Sequence, residues 1–300
     1  MSPLTRRRRA PGPAPAPFVV GVGRSGTTLL RLMLDSHPEL AIPPETHFVP
    51  ELLERERECT DPGELVAAIT AARTWGDFGL TEQALRRAVA EAGARGAAGV
   101  LRAFYALCAS ERGKRRWGDK TPGYVKQMRP IATGLEEARF IHLIRDGRDV
   151  ALSRLARGMG AGKPIADVAE LWRRRIENAR RQAKRLRGRY LELRYEDLVA
   201  DPEAELRKVC ELVELAYDDS MLAYHESASI RLGELGDLPA AGARGERGHD
   251  ERRAAHALAA RPPSKARTEV WRDRMEPADR EAFEAVAGDL LAELGYYMPS

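Results

Sequence analysis

An α/β fold of the P-loop-like kind, with a central parallel sheet and helices on both faces, is what this sequence predicts. Three observations predict it. A short apolar run beginning at Phe18 ends in a glycine-rich turn and flows into TTLLRLMLDSHP, whose helical periodicity stops at Pro38. A second strand, loop and helix follow in FIHLIRDGRDVALSRLAR at 140–157, and a third strand candidate lies at 190–193. Strands alternating with helices imply a parallel sheet that binds ligands at the carboxyl ends of its strands.

Taken in order, residues 1–17 place four arginines before a Pro/Ala tract and read as a disordered arm ahead of a single domain at 18–300. The first strand is expected at 18–22. From about 47 to 112 the pattern is helical, with Pro62 and Gly63 near one start and Thr81 as an imperfect capping-box residue at another. The stretch 51–116 is therefore expected to be a helical insertion. A long helix at 165–187 carries a dense arginine face, expected to be solvated, and the segment 227–260, rich in Gly, Ala and Arg without a clear period, is expected to be mobile. A final helix runs from about 277 to 294.

The 300 residues are enough for one large α/β domain with a sizeable core. No apolar run approaches the roughly 20 residues that cross a bilayer. The first residues lack the apolar stretch of a secretory signal, and Cys59, Cys108 and Cys210 have neither disulfide-framework nor zinc-site spacing. A cytoplasmic, reducing location is the expectation. The net charge of +4 suits a binder of anionic nucleotides and equally a nucleic-acid protein.

The stretch GVGRSGTT at 21–28 has the glycine spacing of a phosphate-binding P-loop, with Thr27 where the lysine should stand. Such a turn aims backbone N–H groups and a helix dipole at one spot. The cation here is Arg24, ahead of Gly26, and Ser25, Thr27 and Thr28 offer hydroxyls around the same anion. Arg145, Ser153 and Arg157 form a second element, in which a strand end and two helix positions one turn apart can converge on another phosphate. About 120 residues separate the two elements.

These motifs resemble those of the sulfotransferases that use 3′-phosphoadenosine 5′-phosphosulfate (PAPS), whose phosphosulfate loop reads Pro-Arg/Lys-Ser-Gly-Thr/Ser-Thr. Gly23 stands where that family usually has proline. Through GRSGTTLLRLMLDSHPEL and PPETHFVP the sequence is most similar to the tyrosylprotein sulfotransferase-like branch with its bacterial members. The resemblance implies that the Arg145 and Ser153 pair holds the 3′-phosphate and that Tyr195 lies beside the adenosine. It implies also that Arg261, ten residues before Trp271, replaces the lysine of a late Lys-Pro…Trp segment. It covers 18–50, 117–158, 188–225 and 261–297.

Sulfuryl transfer proceeds nearly in line, and the protein supplies positioning and charge. Arg24 and Lys120, the latter in WGDKTP, are the cations expected to stabilise the transferred group, with no metal ion. The acceptor must lose a proton, and Glu45 and His47 are the candidate bases. The resemblance favours Glu45, a carboxylate that would need burial to raise its pKa toward neutrality. His142, inside a strand, is expected to be a packed core residue.

A P-loop kinase or NTPase would need the missing lysine and an acidic magnesium ligand. A nucleic-acid binder could use Arg6 to Arg9 and the arginines of 172–189, yet aromatic interleaving is lacking. No nucleic-acid partner is expected. The acceptor, whether a small molecule, a glycan or glycolipid headgroup, or a peptide tyrosine, has no readable code, and neither does the oligomeric state.

Overall fold

The computed structural model describes residues 12–159, 162–234 and 257–296. Its centre is a parallel sheet of β1 (Ala16–Gly21), β4 (Asp119–Lys120), β5 (Ala138–Ile144) and β6 (Tyr190–Arg194), in the order β4-β1-β5-β6. A two-stranded parallel sheet joins β2 (Leu40–Ala41) to β3 (Arg116–Trp117). Every residue of β1 is buried, because helices cover both faces of the sheet. This is why its sequence reads as an apolar run rather than an alternation.

The pleat sends successive side chains into different cores. Phe18, Val20 and Phe140 pack with α2 (Val49–Arg55), α3 (Pro62–Thr70), α4 (Glu82–Glu91), α5 (Gly96–Ser110) and α6 (Met128–Gly134). Val19, Ile141 and Leu143 face the other way, against α1 (Thr27–Asp35), α9 (Tyr195–Ala200), α10 (Pro202–Leu212) and α11 (Ala228–Gly233). Val22 and Ile144, past the sheet centre, meet α7 (Gly147–Leu155), α8 (Ile165–Ala183), α12 (Trp271–Arg274) and α13 (Pro277–Glu293).

Strand register sets where chemistry can occur. Gly21 lies opposite Leu143 and Leu143 opposite Leu193, so three strands end at one level. The loop after Gly21, Arg145 after β5, and Tyr195 after β6 therefore emerge side by side. Val19 pairs with Lys120, which brings the end of β4 to the same edge.

Several expectations shift. The first strand starts at Ala16, so Ala16 and Pro17, assigned to the arm, are sheet residues, and Ala16 is tied by its amide to the Glu137 carbonyl. Residues 1–11, with the arginine run, lie outside the described residues. The 51–116 stretch is helical, and it ends in β3, but it shares a single core with β1 and β5. Thr81 caps α4 by accepting from the Ala84 amide, and Ala84 has no side-chain oxygen to complete a reciprocal box. Of the segment expected to be mobile, α11 and a 3-10 turn at Ala257–Ala260 are ordered elements, and 235–256 lie outside the described residues. The arginine face of α8 is partly a docking surface, because Arg173 and Arg180 pair with Asp289 and Glu293 of α13. His142 is wholly buried, as its strand position implies.

Candidate active site

The loop between β1 and α1 can form only with glycine at two points. A Cβ on Gly21 would stand 2.6 Å from the Leu143 carbonyl oxygen. Gly26 has φ +92°, and a Cβ there would enter the Tyr195 ring at 2.4 Å. Between them Arg24 holds a left-handed conformation at φ +84°, uncommon for a residue with a Cβ. Gly26 gives α1 no side-chain cap, and its carbonyl accepts from the Leu29 amide at 2.9 Å as the helix begins at Thr27 and Thr28.

Arginines gather around this loop. Arg24 donates from Nε to Ser153 Oγ at 3.1 Å, across 129 residues of sequence. Arg145 donates to the Arg24 carbonyl at 3.3 Å and to the Arg267 carbonyl at 2.5 Å, and its guanidinium lies 4.8 Å from the Tyr195 ring centre. Arg154 approaches Gly23, with Nη1 3.6 Å from where a Cβ would be. Burial, then the charges of Arg157, Arg145, Arg267 and Arg154, push the Arg24 pKa down to about 10. Asp149 reaches Arg145 at 3.4 Å and is the carboxylate of this group. It also accepts from the Trp271 amide at 2.9 Å, tying the 265–271 segment to the site.

Polar atoms here await partners. Ser25 Oγ, Arg145 Nε and Arg154 Nε are buried without a hydrogen-bond partner, although buried polar groups are ordinarily satisfied. Hydroxyl, guanidinium and amide groups gathered around one loop are a donor set suited to a doubly phosphorylated or phosphosulfate nucleotide, and the residues present fit one.

Opposite charges meet on the other side of the loop. Lys120, 3% exposed, donates to Glu45 Oε1 at 2.5 Å and lies 3.5 Å from Thr28 Oγ1. The second Glu45 oxygen is 3.0 Å from His47 Nε2. Burial raises the Glu45 pKa, but Lys120 and His47 together outweigh it and hold the carboxyl well below its usual range. The expected upward shift is therefore reversed, because the burial comes with a cation at contact distance. Lys120 moves down as well, since burial costs its ammonium more than Glu45 returns.

Between Glu45 and His47, Thr46 is fully buried and pinned on every side. Its amide donates to Thr121 Oγ1 at 3.1 Å, its hydroxyl donates to Asp119 at 2.8 Å and lies 2.8 Å from Tyr124 Oη, and its carbonyl accepts from Thr74 at 2.9 Å. Asp119 also accepts from Tyr105 Oη at 2.9 Å. The loop and strand β4 are thus locked in register, and the Glu45 and Lys120 pair follows from that lock.

Most residues singled out in the sequence come together. Arg24, Ser25, Gly26, Thr27, Thr28, Arg145, Ser153 and Tyr195 surround the loop, Arg157 contributes its charge from an exposed position, and Glu45 and Lys120 form the adjoining pair. No contact joins the Arg261 side chain to the loop among the described residues. The side chain is exposed, and the Arg261 carbonyl accepts from Tyr224 Oη. Arg267 stands by the loop instead, its carbonyl on Arg145 and its charge felt by Arg24 and Tyr195. Arg267, Arg154 and Asp149 are the functional candidates that the motifs missed. Nearness in sequence to Ser153 and to Trp271 was the only available signal. Among the described residues, no three His, Cys, Asp or Glu side chains gather as a metal site, and no helix is long and apolar enough to cross a membrane.

Fold and site together define a P-loop-like α/β protein with an arginine-lined loop beside a carboxylate paired to a buried lysine. Residues 15–219 match the model of the family described as "Sulfotransferase family", and the chain belongs to that family of sulfuryl-transfer enzymes. It is 27% identical over 285 residues to protein-tyrosine sulfotransferase 1 of Danio rerio, covering 93% of this chain and 71% of that protein. It is 28% identical over 216 residues to protein-tyrosine sulfotransferase 2 of Gallus gallus, covering 70% of this chain but only 53% of that protein. The sulfotransferase domain of the Synechococcus olefin synthase shares its fold, with a TM-score of 0.60, 24% identity and 96% of both chains covered. The sulfotransferase domain of the curacin biosynthetic pathway does so too, with a TM-score of 0.61, 20% identity, and 95% of this chain and 99% of that one covered.

Proposed function

We propose that the chain transfers the sulfuryl group of PAPS to an acceptor hydroxyl, with Glu45 as general base and Lys120 and Arg24 as charge stabilisers. The observation that carries this reading is the Glu45 and Lys120 pair placed against Thr28, at the edge of the arginine-lined loop. The loop amides, Ser25, Thr27 and Thr28 hold the phosphosulfate end. Arg145, Ser153, Arg157 and Arg267 hold the 3′-phosphate, and Tyr195 flanks the nucleoside. The donor supplies an activated sulfuryl group on a good leaving phosphate.

Lys120 has two positions to serve. In the ligand-free protein it neutralises Glu45, and with an anion at Thr28 it turns to the charge developing between phosphate and sulfur. Glu45 then retains its burial but loses its nearest cation, so its pKa rises and it becomes a stronger base as the donor binds. Its oxygens carry enough lone pairs for one to accept from an acceptor hydroxyl while the other stays against His47 Nε2.

The likeness to protein-tyrosine sulfotransferases supports a phenolic hydroxyl as the first acceptor to try, with small-molecule and glycolipid hydroxyls next. A reducing, cytoplasmic location is proposed from the three unpaired cysteines. Glu45→Gln keeps the shape and removes the base. Turnover of PAPS should fall by about 10²- to 10⁴-fold while affinity for the product adenosine 3′,5′-bisphosphate stays unchanged. Near-normal turnover would remove Glu45 from the role.

A further inference from the structure

His47 is the residue beside the proposed base whose role the transfer step leaves open. It sits at φ +61°, a conformation that residues with a Cβ seldom take and that clusters at functional sites. The backbone cannot relax out of it cheaply, because Thr46 before it is held by hydrogen bonds at its amide, hydroxyl and carbonyl. The left-handed turn folds the imidazole back onto Glu45, with Nε2 3.0 Å from Oε2, and leaves the His47 side chain 50% exposed against 29% for Glu45. The charged groups around it are Glu45 in contact, Lys120 on the other Glu45 oxygen, and Asp119, which feels the His47 charge from beneath Thr46.

Each turnover leaves a proton on Glu45 that must depart before the next. Lys120 covers one oxygen, and an acceptor lying over the pair would cover the open face. The ring on the other oxygen, the more exposed of the two groups, offers a way out to solvent. An imidazole has two ring nitrogens, so one can receive a proton while the other gives one up.

Resting on the reading of Glu45 as base, we propose that His47 conducts the acceptor's proton from Glu45 to solvent. As the acceptor oxygen bonds to sulfur, the bond from sulfur to the phosphate oxygen breaks and its electron pair leaves with the nucleotide. The hydroxyl proton moves to Glu45, then to Nε2 of His47 in its Nδ1–H tautomer, the Nδ1 proton passes to water or buffer, and proton exchange between the exposed ring and solvent restores the Nδ1–H tautomer before the next turnover. His47 is thus a relay behind the base.

His47→Gly tests this without straining the fold, since glycine takes positive φ freely and leaves room for a small base. Turnover is read as adenosine 3′,5′-bisphosphate released from PAPS, first with water alone and then with an acidic tyrosine peptide. The variant should turn over about 10- to 100-fold more slowly in non-basic buffer. Added imidazole and methylimidazoles should restore it, more strongly as their basicity rises, and the thermal shift given by adenosine 3′,5′-bisphosphate should match the wild type. His47→Arg should stay slow, and Glu45→Gln should not respond to imidazole. Wild-type turnover by His47→Gly, or a loss that imidazole leaves untouched, overturns the relay while leaving Glu45 as base. Near-normal turnover by Glu45→Gln overturns both readings.

Discussion

Around the loop, five arginines crowd together with one carboxylate among them, and their mutual repulsion with burial takes Arg24 down to about 10. A few ångströms past Thr28, Lys120 and Glu45 meet at 2.5 Å, and Lys120 and His47 outweigh burial and hold the carboxyl in its ionised form. Both regions line the same strand ends. The difference is that the first gathers charge of one sign, while in the second opposite charges meet. Crowded like charges favour an incoming anion, whereas an ion pair is already satisfied within the protein.

The sharpest way to break the comparison is Lys120→Met. Turnover should drop by about 10²- to 10³-fold, the usual cost of removing one stabiliser of transition-state charge. The acid limb of the turnover profile should also move to higher pH, because burial then acts on Glu45 without the ammonium. A limb that stays in place would mean that the pair does not govern the base. Next comes Arg145→Gln at the arginine-lined loop. Losing charge-assisted bonds to a terminal phosphate should weaken adenosine 3′,5′-bisphosphate by about 1.5–3 kcal/mol and leave ADP nearly unaffected. Equal losses for both nucleotides would place Arg145 elsewhere on the ligand.

His142 separates buried charge in general from charge kept for function. Burial takes its pKa from 6.5 to about 4, beside a network in which Tyr190 bonds Glu192 and Glu192 bonds Arg180. Its folded pKa is depressed, so the unfolded chain takes the proton first. Stability should be full above pH 6.5, fall between 6.5 and 4, and be lower by about 2 kcal/mol at pH 5. Denaturant melts of His142→Gln should lose that slope, and turnover per folded molecule should hold. The smallest effect is expected at the late cations. Arg267→Ala should weaken adenosine 3′,5′-bisphosphate by about 0.5–1 kcal/mol, and Arg261→Ala should change nothing measurable. The reverse order would restore Arg261 to the site.

Much of this was legible in the residues, for physical reasons that also mark where legibility stopped. Gly21, Arg24 and Gly26 announce the loop because only glycine fits against Leu143 and Tyr195. Arg145 and Ser153 are readable because a strand end and the helix after it fix their spacing. Glu45 and Lys120 were each readable as candidates, but their contact was not. It depends on Thr46, Asp119, Thr121 and Tyr124 closing a hydrogen-bonded lock between segments about 75 residues apart. That contact reverses the sign of the Glu45 shift. Arg267 escaped because the Arg261-Pro262 dipeptide matched a motif, while placement of the segment is decided by the Trp271 amide on Asp149.

The central claim is that the arginine-lined loop is built for a 3′-phosphorylated nucleotide, and calorimetric titration without metal tests it most directly. Adenosine 3′,5′-bisphosphate should bind at least about 100-fold more tightly than ADP, a difference of about 2.7 kcal/mol, and affinity should fall with added salt. Equal affinity for the two nucleotides, or tight binding by Mg-ATP alone, would contradict the account.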